Sequence, residues 1–322
     1  MKTKFDTSLL VKVAQMYYND DLKQNDIATA LGISRSLISM ILSEARDVGI
    51  VEITVRDPFL NNENLAKKIE SRFGLRQCIV IPTSVRDDEA LRKIVAQRAV
   101  ELFNQIVRSK DVVGLAWGRT CYQFVTTYRA GSELRDISVV PLIGGSEQIA
   151  PYFQVNEMVR QFAVRLGGAP HFAHVPSFVS DANERDLFLN TSGMQAVRDR
   201  WARMDVALLG IGSRDGAHNT ERQIYIGEQE IHKELDKLKV VGDLCTRYFT
   251  IDGKFIRSSY YDRVVGVDVE DLRRTKNVIC VGAGTEKVEA ILGALRTGIL
   301  NNLITDEHTA KAVLSLDGTP TA

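Results

Sequence analysis

Val113-Gly114-Leu115-Ala116-Trp117-Gly118-Arg119-Thr120 decides how most of this chain is built. An apolar run of strand length stops at a glycine, and a helix-forming stretch begins directly behind it. The same pattern recurs along the chain. Strands are expected at Val112–Trp117, Ile137–Leu142, His171–Val175, Val206–Ile211, Val264–Val267, Val278–Val281 and Leu303–Ile304, with amphipathic stretches between them. Such alternation means a mostly parallel α/β sheet covered on both faces. Ligands of such sheets collect beyond the carboxyl ends of the strands.

Several of these strands run into turns whose chemistry suits an anion. Trp117-Gly118-Arg119-Thr120 opens a helix, Leu142-Ile143-Gly144-Gly145-Ser146 follows the second strand, and Gly210-Ile211-Gly212-Ser213-Arg214-Asp215-Gly216 follows another. Gly282-Ala283-Gly284-Thr285-Glu286-Lys287 leads into a helix over Val288–Leu295. Glycine lets backbone N–H groups approach a ligand, and a helix N-terminus carries partial positive charge. The expected effector-binding set is Gly118, Arg119, Thr120, Gly144, Gly145, Ser146, Gly212, Ser213, Asp215, Gly282, Gly284 and Lys287. Its ligand would be a phosphorylated or polyhydroxylated small molecule. Upstream, Leu60–Phe73 reads as an amphipathic helix, Cys78–Ile81 as a short strand, and Asp88 to about Val107 as a long helix. Part of this connector is expected to serve dimerisation.

The N-terminus follows a different period. Thr7–Asn19 reads as a helix, Gln24–Leu31 as a second, and Arg35 to about Asp47 as a third, capped by Ser34. Gly32 takes the turn between the last two, where a left-handed backbone is needed. Ile27, Leu31, Ile33, Ile38 and Ile41 supply the apolar plug of a helix-turn-helix. The outward residues Arg35, Ser36, Ser39, Ser43 and Arg46, with Gln24 and Ser34, suit phosphate oxygens and base edges in a major groove. Val51-Glu52-Ile53-Thr54-Val55 alternates as a strand does and would form the wing of a winged helix; Asp57-Pro58 closes it.

Composition bounds the rest. With 322 residues, 44% of them hydrophobic, two domains are expected, 1–57 for DNA binding and 58–322 for effector binding and oligomerisation. The 41 basic and 41 acidic residues cancel, and residues 1–57 hold seven Lys/Arg against eight Asp/Glu, a net of −1. DNA binding therefore rests on a few cations on one face, doubled by dimerisation, and not on bulk charge. No apolar run approaches the ~18–20 residues of a membrane helix, and the N-terminus lacks a signal peptide's apolar core, so a cytoplasmic protein without membrane contact is expected. Cys78, Cys121, Cys245 and Cys280 are widely spaced and read as buried, reduced thiols. His171 and His174, three apart in a strand, would face opposite ways. No metal, cofactor or catalytic residue is expected.

Seven ordered blocks resemble the SorC family of bacterial sugar-responsive transcriptional regulators. They are Gln24-Asn25-Asp26-Ile27-Ala28-x-x-Leu31-Gly32-Ile33-Ser34-Arg35, Val113–Thr120, Pro141–Gly145, Val206–Gly212, Val241–Cys245, Gly293–Arg296 and Asn301–Ala310. The resemblance implies a winged-helix DNA reader joined to a domain similar to sugar-phosphate isomerases and deaminases. It also implies a homo-oligomer, dimer or tetramer, on palindromic double-stranded operators, with a sugar or sugar phosphate as effector. Ile143 stands where some family members carry a Schiff-base lysine, and no lysine occurs between Lys110 and Lys233. Gly282-Ala283-Gly284 also differs from the family's paired glycines. The alternative is a sugar-phosphate isomerase or deaminase, because Gly210–Asn219 is similar to those enzymes' GxGxDGH stretch. An extra residue precedes Asp215 and another precedes His218, displacing the proton-shuttling groups.

Overall fold

Gly32 and Ser34 set the geometry of the N-terminal unit. The computed structural model describes residues 4–51, 62–82, 85, 87–130, 134–146, 153–214, 229–258 (backbone only for 229–232) and 260–318. The chain divides into two units, Met1–Asp57 and Pro58–Ala322. In the first, α1 spans Thr7–Tyr18, α2 Gln24–Leu31 and α3 Arg35–Asp47. Gly32 stops α2 at φ +67°, and Ile33 N–H donates back to the Ala28 carbonyl at 3.1 Å. Ser34 is extended, and its Oγ accepts from Leu37 N–H at 3.3 Å, which starts α3. The two helices meet at a bend of 106°, as helix-turn-helix pairs do. Leu10, Val13, Ile27, Ile38, Ile41 and Leu42 are buried together, and Ala14, Ala28 and Ala45 let the helices close on them. Of the expected wing strand, Val51–Val55, all but Val51 lies outside the described residues.

In the second unit α4 spans Glu63–Phe73, β1 Gln77–Ile81, α5 Asp88–Ile106, β2 Val112–Leu115 and α6 Arg119–Thr127. β3 (Ser138–Pro141), α7 (Val155–Leu166), β4 (Ala169–Pro170), α8 (Ala182–Leu189), α9 (Ser192–Trp201), β5 (Val206–Gly210) and β6 (Gly212–Ser213) follow. The remainder is α10 (Gln229–Lys237), β7 (Val240–Leu244), β8 (Arg247–Thr250), α11 (Val269–Arg274), β9 (Asn277–Val281), α12 (Val288–Arg296), β10 (Asn302–Asp306) and α13 (Glu307–Leu316).

Seven strands form one parallel sheet in the order β1-β10-β9-β5-β2-β3-β4, and β6-β7-β8 form a small antiparallel sheet. Every residue of β2 and β10 is buried, as a strand covered on both faces must be. At the far end of the unit, the Asp317 carboxylate is buried between two arginines. It accepts from Arg72 Nε at 2.6 Å and Arg296 Nη2 at 2.7 Å, which ties α4 and α12 to the end of α13.

Two expected strands are not strands. His171–Val175 leaves the sheet after Pro170, and Asn156 on α7 takes over the role of a neighbouring strand. The Asn156 carboxamide accepts from Ala173 N–H at 3.1 Å and donates to the Ala173 carbonyl at 3.0 Å. Val264–Val267 makes only isolated bridges, Ile143 with Gly266 and Phe178 with Val264. Conversely, the β7–β8 hairpin was not expected. Its two-residue turn is Cys245-Thr246, at φ +50° and +61°, a conformation that Asn-Gly normally signals.

Candidate functional site

A cavity of about 300 Å³ opens beyond the carboxyl ends of β2 and β5. The strand-to-helix turn after β2 supplies Gly118, Arg119 and Thr120, where the N-terminus of α6 faces the cavity. Gly118 sits at φ +113° with open space where a Cβ would be, so it is the backbone conformation that needs a glycine there. The end of β5 and β6 bring Ile211, Gly212 and Ser213, and the turn before α12 brings Glu286 and Lys287. Ser213 Oγ donates to the Glu286 carbonyl at 2.8 Å and Lys287 Nζ to the Ile211 carbonyl at 3.1 Å, which holds these two segments together.

Two further segments complete the wall. The first two turns of α5 place Asp88, Leu91, Arg92 and Val95 on one face, all against the cavity. The β7–β8 hairpin adds Asp243, Cys245, Thr246 and Tyr248, with Tyr260 beside them. A Cβ on Gly212 would lie 1.9 Å from Asp243 Oδ1, so this glycine admits the carboxylate. Asp243 Oδ2 also accepts from Thr246 N–H at 2.8 Å, inside the strained turn. Behind the hairpin, Arg247 is 3% exposed and donates to the carbonyls of Val267 (3.1 Å), Tyr261 (3.0 Å) and Gly266 (3.2 Å). Its guanidinium lies 4.4 Å from the centre of the Tyr261 ring. Arg247 thus pins the hairpin, and the polar groups it carries, to segment 261–267.

The wall carries charges of both signs. Burial lowers the Lys287 pKa, Glu286 opposes that, and the charges of Arg92 and Arg119 lower it further. Three cations, Arg92, Arg119 and Lys287, and three carboxylates, Asp88, Asp243 and Glu286, thus share the wall of one small volume, so it offers charged donors and acceptors together. Burial pushes the Cys121 thiol up to about 12, against the lowering effect of the Gly210 backbone and the Lys287 charge, and burial raises Cys245 as well, so both cysteines in the wall are inert thiols. Tyr260 is raised chiefly by burial and stays a hydroxyl donor. All four cysteines are free and buried. Among the described residues no cluster of three or more His, Cys, Asp or Glu could hold a metal.

Of the expected effector residues, Gly118, Arg119, Thr120, Gly212, Ser213 and Lys287 line this cavity. Gly144, Gly145 and Ser146 do not; with Trp117 and Gln154 they line a separate narrow recess. Gly144 N–H is spent on the Val265 carbonyl and Gly145 N–H on that of Val175, both at 2.9 Å. A Cβ on Gly144 would sit 2.4 Å from the Pro176 carbonyl oxygen, so that glycine answers a backbone approach. Gly282 and Gly284 are also outside the lining. Gly282 N–H donates to the Ile304 carbonyl, and Gly284 N–H is shared by Asp306 Oδ2 at 3.0 Å and Thr309 Oγ1 at 2.9 Å. Asp215 and His218 lie outside the described residues. Asp88, Arg92, Asp243, Thr246, Tyr248 and Tyr260 were missed.

On the N-terminal unit, Arg35, Ser36, Ser39 and Arg46 are exposed on α3 and Ser43 is partly so, opposite the buried Ile38, Ile41, Leu42 and Ala45. Ser34 is exposed and Gln24 half-buried. Ser34 Oγ and Ser36 Oγ lie 2.9 Å apart at the start of the helix.

Residues 57–315 match the family model Sugar-bind, which describes a sugar-binding domain. The sorbitol operon regulator of Klebsiella pneumoniae is 30% identical over 318 residues, 98% of this chain and 100% of the relative. The deoxyribonucleoside regulator of Bacillus subtilis (strain 168) is 30% identical over 307 residues, 95% of this chain and 97% of the relative. The crystal structure of the full-length sorbitol operon regulator SorC from Klebsiella pneumoniae superposes with a TM-score of 0.76 at 29% identity, covering 97% of this chain and 99% of that one. The chain belongs to the SorC family of sugar-responsive transcriptional regulators.

Proposed function

We propose that this chain regulates a carbohydrate or polyol catabolic operon, reading palindromic operator DNA with α3 and holding a sugar or sugar phosphate in the cavity. The observation that carries the effector half is the convergence of Arg92, Arg119 and Lys287, from three separate segments, on one cavity of about 300 Å³. That volume is at the small end of ligand sites and suits a single monosaccharide. Asp88, Asp243, Thr246 and Tyr248 add hydroxyl partners, so the cations would take a phosphate and the rest a polyol chain.

Control of DNA binding is a linkage. An effector that binds one arrangement of the subunits more tightly shifts the population toward it, and operator affinity changes by the same coupling free energy. A dimer or tetramer supplies the two copies of α3 that a palindrome requires. The cavity is read as a site of binding without turnover, since the buried thiols of Cys121 and Cys245 stay protonated and Lys287 Nζ is engaged by the Ile211 carbonyl. Regulation of this kind belongs in the cytoplasm, where the operator is.

The test is a thermal-shift screen of the full chain against free and phosphorylated sugars and polyols, followed by operator binding with and without each hit. A sugar phosphate is expected to raise Tm and to change affinity for a promoter fragment from the chain's own genomic neighbourhood. A chain that no sugar stabilises and that ignores every such fragment overturns the reading. Conversion of a hit into product would move the protein to the enzymes.

A further inference from the structure

The polar residues assigned to DNA leave an exposed large hydrophobic on α3 without a role. Met40 is 52% exposed, against 37–39% for Val11, Tyr18 and Leu22, the other exposed large hydrophobics of the N-terminal unit. It stands on the side of α3 away from the core of Ile38, Ile41 and Leu42. Ser36, Met40 and Ser43 follow one another at i, i+4 and i+7, so they form a single row along that side. Both serines of that row are short, so within it the thioether reaches furthest from the helix axis.

A flexible apolar chain in that place is costly in water and has one good use in a major groove. The base edges there present acceptors and amino donors, which an apolar chain would desolvate without replacing their hydrogen bonds. The exception is the 5-methyl group of thymine, the apolar feature of that surface. Recognition helices also approach base edges with residues of their first turns, and Met40 lies in the second turn of α3.

We propose that Met40 is a specificity-determining residue whose side chain packs on the 5-methyl group of one thymine in each operator half-site. The proposal rests on α3 reading the major groove, as set out above. It adds what the serines and arginines of α3 cannot supply, a discrimination of thymine from cytosine and from uracil that involves no hydrogen bond.

The experiment starts with the full chain selecting its preferred duplex from a random DNA pool. Each thymine of the selected sequence is then replaced singly by deoxyuridine, which removes only the methyl group, and affinity is read by fluorescence anisotropy. One thymine per half-site is expected at which the wild-type chain loses about fourfold, the worth of one buried methyl. Met40→Ala should bind the parent duplex about fivefold to tenfold more weakly and lose its sensitivity at that thymine. Met40→Leu should keep it. Selection of a sequence whose thymines are all indifferent, or at which Met40→Ala stays as sensitive as wild type, overturns the assignment of Met40 and leaves the role of α3 standing. A pool that enriches nothing overturns both.

Discussion

The two units present their polar groups in opposite ways. In the N-terminal unit the groups assigned to the ligand stand on one rigid helix, in solvent, and the core beneath them is purely apolar. In the large unit they face inward around a cavity, delivered by several separate segments, and some hold one another in place. Lys287 is bonded to the Ile211 carbonyl, Ser213 to that of Glu286, and Asp243 to the Thr246 amide. Ligand contacts on α3 are therefore separable from stability, whereas contacts in the cavity are entangled with it.

That contrast is open to attack in order of effect. Arg247→Met takes the side-chain donor from the buried carbonyls of Val267 and Gly266, each costing about 1–3 kcal/mol, and leaves that of Tyr261 with only Val264 N–H at 3.5 Å, so the large unit should lose about 2–5 kcal/mol of stability in urea unfolding. A loss under about 1 kcal/mol would show that the hairpin is held by other means. Arg119→Ala or Lys287→Ala removes a charged donor and should weaken effector binding about 10- to 100-fold in calorimetry, with operator affinity unchanged when effector is absent. If either variant responds to effector like wild type, that residue is outside the site. Arg35→Ala should weaken operator binding about tenfold, flatten its salt dependence, and leave both Tm and effector affinity as they were. A fall in Tm of several degrees would erase the distinction between the units.

The smallest effect is one of pH. The ammonium form of Lys287 is the one that attracts an anion, and burial has moved its pKa below that of an ordinary lysine. Its charge is present below the lowered value and is lost as the pH rises through it. Phosphate monoesters are already dianionic above about pH 7, so their own charge is constant over that range. Effector affinity should therefore decline a few-fold as the pH rises through that value, and Lys287→Arg should abolish the decline. A flat profile in the wild-type chain would place the phosphate away from Lys287.

Legibility in the sequence follows the same division. The helix-turn-helix lies within a few turns of chain, so its caps, its plug and its outward face are all local signals, and α1, α2 and α3 end within a residue or so of their expected limits. The parallel sheet was legible because buried strands are apolar throughout. Glycine turns pointed to Gly118-Arg119-Thr120 and Gly212-Ser213, but the same cue drew in Gly144 and Gly284, whose N–H groups serve the fold. Glycine marks a close approach without telling whether ligand or backbone is approaching. The hairpin was hidden because Cys245 and Thr246 adopt a turn that their side chains do not advertise. The α5 contribution did leave a trace. Asp88 and Arg92 share the spacing of Leu91 and Val95, and charges on the apolar stripe of a helix mean that the stripe borders something other than core.

The strand order has a consequence for synthesis. β1, the first strand of the large sheet to be made, is bonded at its edge only to β10, the last. Arg72 likewise waits for Asp317, 245 residues later. At about 5–20 residues per second that wait is roughly 10–50 s. The three helices at the N-terminus need no such delay, because all their contacts are near in sequence and helical units of this kind close in microseconds to milliseconds. A nascent polypeptide thus carries a folded helical head for roughly 10–50 s before its metabolite chamber exists, and a chain cut short during translation would keep the former without ever acquiring the latter.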